Sequence, residues 1–237
     1  MIPLEKFLLK YNIPKAKELE HKDPQFLALE KSWENIKDKD NNLFSFLVIQ
    51  CALVSYQIAW SGEQRRVEFW EKIQKDWNTL LNMRNNNQFN TERRFNFLKT
   101  SKNNKRIYNI KKSRIEKFNK ILTTEKDFFQ YQKNLEKLNE ILAKAMNTQT
   151  NSKTIVFAIK MFGYAYTIIS WKDVQYPTSI DIPVDSRLKK IYEINTHKST
   201  KDEPEIRKYF WNLSTKFDIP PLDLDTILWL EYRKTIK

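Results

Sequence analysis

Glycine is nearly missing from this chain, with two in 237 residues, Gly62 and Gly163. Neither a G-x-G-x-x-G dinucleotide loop nor a G-x-x-x-x-G-K-[ST] phosphate loop can be written from two, because both need several glycines to bring backbone against phosphate. Rossmann dehydrogenases and P-loop ATPases are thereby excluded. One cysteine, Cys51, and two histidines, His21 and His197, fall short of the ligands of structural zinc or an iron-sulfur cluster and of a disulfide framework. A single thiol suits a reducing compartment. The opening Met1-Ile2-Pro3-Leu4-Glu5-Lys6 lacks the basic-then-apolar order of a secretory signal, so a cytoplasmic location is expected. Long apolar runs are also scarce. Only Leu43 to Trp60 approaches the length of a membrane span, and it carries Ser45, Gln50, Ser55 and Gln57, which a buried helix tolerates more cheaply than hydrocarbon does. We read it as a core helix and expect no membrane partner.

Acidic residues are in deficit, 29 Asp and Glu against 42 Lys and Arg, for a formal net charge of +13. Such a balance suits a polyanionic partner, nucleic acid before an anionic lipid surface. The excess is concentrated. From Arg93 to Lys120 eleven cations face one anion, Glu116, with Phe95, Phe97, Ile107, Tyr108, Ile110, Ile115 and Phe118 interleaved. As a block it reads as a phosphate-facing surface, since phosphate contacts supply affinity without reading sequence.

Seven Trp, ten Tyr and fifteen Phe give ample bulk for a core, and helical spacing dominates the whole chain while strand signals are nearly absent. Asp23-Pro24 opens a helix with a cap and a first-turn proline. Thr123-Thr124-Glu125 opens another expected to run to about Met146, and Asn85-Asn86-Asn87 and Asn103-Asn104 mark turns between helices. From Lys153 to Trp171 the residues Ile155, Ile159, Phe162, Tyr166 and Ile169 form one apolar stripe. After a loop to Asp181, Ile182-Pro183-Val184-Asp185 is expected to begin a helix with proline in its first turn. Glu203 to Phe217 is the next, and after Pro220-Pro221 a last helix is expected from Asp225.

Chemistry concentrates around Lys153. Spacings of four and three put Lys153, Phe157 and Lys160 on one face, apart from the apolar stripe. An amine at a helix N-terminus opposes the macrodipole, and a second cation on the same face adds repulsion, so both favour the neutral form. A neutral lysine is a nucleophile for a sugar C1′ or an aldehyde. An ordinary surface lysine would also fit the position. Asp185 suits a helix N-terminus electrostatically, and could also orient the amine or stabilise positive charge on a sugar ring. Asp225 and Trp229 lie four apart, an aromatic plane beside a carboxylate that would suit an extruded purine. A metal-dependent nuclease built on Asp181, Asp185, Asp223 and Asp225 is disfavoured, because Asp223 and Asp225 are two apart on a helix and diverge.

Three segments together resemble the archaeal 8-oxoguanine DNA glycosylases known as AGOG, a branch of the helix-hairpin-helix DNA glycosylase superfamily. They are Lys153-Thr154-Ile155-Val156-Phe157-Ala158-Ile159-Lys160-Met161, Asp181-Ile182-Pro183-Val184-Asp185-Ser186-Arg187, and Ile219 to Leu230 with its Pro220-Pro221 and Asp225 to Trp229. Asp23-Pro24-Gln25-Phe26 and Ser55-Tyr56-Gln57 before Gly62-Glu63 also fit. The resemblance implies an all-α fold of two helical subdomains flanking a cleft, residues 1–237 forming one catalytic domain. It implies a bifunctional glycosylase and abasic-site lyase that flips out and excises 8-oxoguanine. Lys153 would be the Schiff-base nucleophile, with Asp185 its acidic partner. Gln25, Phe157, Lys160, Asp225 and Trp229 fall where the family contacts the flipped base. The expected partner is single- or double-stranded DNA carrying the lesion, met by a monomer near the nucleoid, with no metal and no cofactor. A non-catalytic helical nucleic-acid-binding protein is the alternative. Two departures stand out. The hairpin Met146 to Asn151 has no glycine, although the superfamily's is glycine-rich, and Gln64-Arg65-Arg66-Val67 stands where the family commonly has a tryptophan, leaving Trp60 or Trp70 as substitutes.

Overall fold

Helix starts in this chain are marked by side chains that accept an otherwise orphaned backbone N–H, an interaction contributing about 0.5–2 kcal/mol each. In the computed structural model, which describes residues 2–36, 40–55, 75–76, 78–80, 84–85, 88–89, 91–121, 127–199 and 201–235, five helices begin this way. Asn12 caps Ile13–Glu20, Asp23 caps Pro24–Glu34, Asp40 caps Asn41–Val54, Asn134 caps Leu135–Met146 and Asp185 caps Ser186–Thr196. Further helices run Leu4–Leu8, Thr91–Thr100, Tyr108–Ile121, Lys153–Ser170, Glu203–Phe217 and Pro221–Leu230, with 3-10 turns at Phe129–Lys133 and Tyr232–Thr235. The fold is all-helical in character. Its strands, among the described residues, are the two-residue pair Arg84–Asn85 and Gln88–Phe89, antiparallel with Arg84 opposite Phe89.

Scarcity of glycine shows at the helix C-termini. Asn147, Trp171, His197 and Asp218 all adopt the left-handed conformation that glycine usually takes there, with φ between 52° and 58°. Asn and Asp tolerate it best, because their short polar side chains bond locally.

Four sequence expectations need correction. The core helix ends at Val54, where Ser55 Oγ donates to the Cys51 carbonyl at 2.7 Å; residues 56–60 of the expected span lie outside the described residues. The helix expected from Thr123 is broken. Its start lies outside the described residues, and Asn134, with φ −152°, separates a 3-10 turn from a helix that begins at Leu135. Asp185 is a cap rather than a first-turn residue, because its carboxylate takes the Arg187 and Leu188 N–H groups, both at 3.0 Å, and Pro183 lies in the preceding coil. The last helix starts at Pro221 rather than Asp225, since proline at the first helical position needs no N–H partner. Of Asn85-Asn86-Asn87, Asn85 closes a strand and the other two lie outside the described residues; Asn103 and Asn104 do sit in a turn.

Two large hydrophobic cores organise the described residues, and a third, smaller cluster gathers Val54, Leu98 and Ile115. The first is built around Asn41–Val54 packed on Lys153–Ser170, and takes in Phe26, Leu29, Phe118, Leu138, Leu142 and Tyr176. Lys153–Ser170 is buried on nearly every side from Ile155 onward, so the stripe of five understates its apolar surface. Gly163 is required there: a Cβ would come within 2.7 Å of Tyr176 Cε1. Inside the protein Ser45 Oγ donates to the Asn41 carbonyl at 2.8 Å and Gln50 Nε2 to Asn119 at 2.6 Å. The second core gathers Leu4, Phe7 and Ala16 with Ile182, Leu188, Ile206, Phe210, Leu224, Ile227, Leu228 and Tyr232. Pro221–Leu230 serves both, since Leu222 belongs to the first core and Leu224 to the second. No helix among the described residues is long and apolar enough to cross a membrane.

Candidate active site

The turn that leads into Lys153 forms without glycine. Asn147 N donates to Lys144 O at 3.1 Å and Thr148 N to Ala143 O at 3.0 Å, closing the preceding helix around a left-handed Asn147. Ser152 N donates to Gln149 O, and Ser152 O accepts from Ile155 and Val156 to start the next helix. Arg207 fastens this turn from outside, donating to the Asn151 carbonyl at 3.3 Å and to Glu203 at 3.2 Å, with Asp181 4.0 Å away.

Along the face Lys153, Phe157, Lys160 burial deepens step by step: Lys153 is exposed, Phe157 half-buried, and Lys160 only 2% exposed. The Lys153 side chain makes no hydrogen bond or ion pair among the described residues. Lys160 is tightly held, with Nζ donating to Asp225 Oδ2 at 2.6 Å. The repulsion expected between the two amines is therefore offset by a carboxylate. The other Asp225 oxygen accepts from Arg187 at 2.7 Å. Burial pushes the Asp225 carboxyl up, but Lys160 and Arg187 outweigh it and hold the group below the ordinary carboxylate value.

Arg187 reaches further. Its Nε lies 3.4 Å from Asp185 Oδ1, and its guanidinium carbon is 4.8 Å from the centre of the Trp229 ring, which Arg233 also covers at 3.9 Å. On the other flank Gln25, half-buried, donates its N–H to Asp23 at 2.9 Å, and Asp23 takes the Tyr164 hydroxyl at 3.0 Å. Burial raises the Asp23 carboxyl, opposed by Lys160. Behind these groups, at the seam between the cores, Lys17 donates to Glu20 at 3.1 Å and lies 2.7 Å from Asp223 as an ion pair. Its Nζ also sits 4.1 Å from the Tyr176 ring centre, and Tyr176 donates to the Lys160 carbonyl at 3.2 Å. Burial pushes Glu20 up to about 7 against the pull of Lys17, and raises Asp223 as well.

Residues 5–237 match the family model described as AGOG: N-glycosylase/DNA lyase. The chain belongs to this family. It is 41% identical over 225 residues to an N-glycosylase/DNA lyase of Methanococcus maripaludis, covering 92% of this chain and 82% of the relative. A Nanoarchaeum equitans protein of the same name is 35% identical, with 98% and 90% covered. The fold is similar to the crystal structure of 8-oxoguanosine-complexed Pa-AGOG, the 8-oxoguanine DNA glycosylase from Pyrobaculum aerophilum, with a TM-score of 0.75 at 24% identity, covering 95% of this chain and 84% of that one. Family membership places the chain among DNA glycosylase/lyases.

Set against the family expectation, the structure joins Lys160 to Asp225, stands Trp229 one turn after Asp225, and puts Gln25 beside Asp23. Lys153 and Asp185 do not form an ion pair; Asp185 Oδ1 caps its own helix and lies beside Arg187. Tyr56-Gln57, Trp60, Gly62-Glu63, Gln64 to Val67 and Trp70 lie outside the described residues. The four carboxylates of the nuclease alternative face cations or backbone donors: Asp181 faces Arg207, Asp223 meets Lys17, Asp225 meets Lys160 and Arg187, and Asp185 caps its helix with Arg187 beside it. No group of three or more His, Cys, Asp or Glu among the described residues is placed to hold a metal.

Sequence reasoning missed Asp23, Tyr164, Arg187, Lys17 and Glu20 as members of this cluster. Tyr164 had a signal, since 153, 157, 160 and 164 continue one helical face in steps of four, three and four. Arg187 closes the segment Asp181 to Arg187 that carries the family resemblance, but no spacing marked it as a site residue. The basic block is sorted by the structure: Arg93, Lys99, Lys102, Lys105, Arg106, Lys117 and Lys120 are exposed, whereas Arg94 and Lys111 are buried. Arg94 donates to the Leu80 carbonyl at 2.5 Å and Lys111 to Asn104 at 3.2 Å.

Proposed function

We propose that this glycosylase/lyase excises 8-oxoguanine from DNA through a Schiff base on Lys153 and cleaves the strand by β-elimination. The observation that supports the reading is the graded helix face, with an accessible amine at its head and, two turns deeper, Lys160 paired with Asp225. The Lys153 amine would attack C1′ of the flipped nucleotide while the bond from C1′ to the base breaks and its electron pair leaves with the base. Opening of the sugar ring gives the iminium, and loss of a C2′ proton expels the 3′ phosphate. Flipping costs a few kcal/mol of stacking and pairing, offset by contacts to the flipped base and by the exposed cations of Arg93 to Lys120 gripping phosphate.

In this reading Asp225, held ionised, accepts the N–H donors on the guanine edge, Gln25, Phe157, Lys160 and Trp229 complete the base contacts, and Asp185 stabilises charge on the opening sugar. Lysine supplies the nucleophile, so the scheme calls on no metal or cofactor. We take the chain to act as a monomer in the cytoplasm.

Incubation with a duplex carrying 8-oxoguanine in EDTA, followed by borohydride, tests this. The expected result is a covalent protein-DNA adduct that Lys153→Gln abolishes. Binding without an adduct would replace the reading with a non-catalytic nucleic-acid-binding protein, and cleavage only with added magnesium would replace it with a nuclease.

A further inference from the structure

One side chain touches both halves of the proposed chemistry without belonging to the expected set. The Arg187 guanidinium donates to Asp225 Oδ1 at 2.7 Å, lies 4.8 Å from the centre of the Trp229 ring, and keeps Nε 3.4 Å from Asp185 Oδ1. Its side chain is 17% exposed, which leaves little freedom to swing. The planar guanidinium can hold a carboxylate along one edge while an aromatic ring packs on its face, which an ammonium cannot do. Asp185, by contrast, does not depend on it, since two backbone N–H groups already fix that carboxylate.

We propose that Arg187 is a positioning residue for base recognition: by donating to Asp225 while lying over Trp229, it fixes carboxylate and indole as one unit in register with Asp185. The inference rests on the 8-oxoguanine reading and deepens it. Because the backbone holds Asp185 and Lys153 lies on another helix, the lyase step on a site already lacking its base does not need Arg187. Excision of an intact lesion does.

The test compares single-turnover excision of 8-oxoguanine with cleavage at a pre-formed abasic site, for the wild type, Arg187→Gln and Arg187→Lys, alongside steady-state KM and kcat. For Arg187→Gln we expect kcat/KM for excision to fall on the order of tenfold to a hundredfold, as for loss of a charged hydrogen bond, with part of the loss in KM. Abasic-site cleavage stays within about threefold of wild type by the same reasoning. Arg187→Lys keeps a cation on Asp225 but loses the stack, so it falls between, and it serves alone if Arg187→Gln fails to fold. Equal losses on both substrates would overturn the proposal, as would tighter binding of damaged duplex by either variant, which would mean that the guanidinium occupies the place of the base. A wild-type chain that yields no borohydride adduct would take down the functional reading itself. An adduct-forming wild type with equal losses in the variants takes down only the role of Arg187.

Discussion

Lys160 Nζ stands 2.6 Å from Asp225 Oδ2, with the two side chains 3% and 6% exposed. Desolvating both ions is costly, and the contact offsets that cost only while both partners are present. Asp225→Leu therefore strands a buried ammonium and should destabilise the protein by about 3–5 kcal/mol. Lys160→Met should cost less, because Arg187 still faces Asp225. Urea denaturation of the two single variants and the double reads this out, with the double recovering part of the Asp225→Leu deficit. Strict additivity would show that the pair contributes nothing beyond its separate members.

Glu20 gives the seam a pH dependence of definite sign. With its carboxyl raised from 4.5 to about 7 by burial, the folded state holds a proton that the unfolded state releases. This group's contribution is therefore fully present below pH 4.5 and lost as pH rises toward 7. Asp225 acts in the opposite sense: its depressed value contributes stability at neutral pH that is lost as pH falls through the folded value. Glu20→Gln should accordingly gain in stability relative to wild type between pH 5 and pH 8, measured by chemical denaturation at about those two values. An unchanged difference would mean that Glu20 does not titrate in that window.

Helical content was legible in the sequence because periodicity and Asx caps are local signals. Asp23-Pro24 and the central helix from Lys153 are found where spacing and capping put them. The errors arose where one local signal overrode another: Asn134 interrupts an otherwise helical run, and Pro220-Pro221 starts the last helix four residues early. The site was half legible. Lys153, Phe157 and Lys160 share a helix, so geometry alone aligns them, and Asp225 and Trp229 likewise. That Lys160 pairs with Asp225, 65 residues away, or that Arg187 lies over Trp229, depends on how two cores meet, and nothing in either segment encodes it locally.

Asn147 carries the left-handed cap at φ 52° directly before the turn to Lys153. Asn147→Gly should leave stability unchanged or raise it slightly, whereas Asn147→Ala should lower it by about 1–2 kcal/mol, the cost of a left-handed residue with a Cβ and no local hydrogen bond. Thermal unfolding separates the two. Equal melting temperatures would show that the turn readjusts without strain.

Charge removal tests the exposed basic face. Replacing Lys99, Lys102 and Lys105 by Gln should weaken binding of damaged and undamaged duplex alike, and flatten the slope of log K against log salt by roughly 0.9 for each phosphate that is no longer neutralised. The same substitutions at the buried Arg94 or Lys111 should act on stability instead. Binding that falls only for damaged DNA would move these lysines from phosphate grip to lesion recognition.

The seam of Lys17, Glu20, Asp223, Lys160, Asp225 and Arg187 implies a division of labour. Oil-like interiors on either side give each half its cohesion, while a thin ionic layer settles only their mutual bearing. Aliphatic residues in either interior can drift toward others of similar size without re-aiming the groups in that layer. A single altered ion there leaves the apolar contacts on either side in place and is felt first by the charged groups that face it.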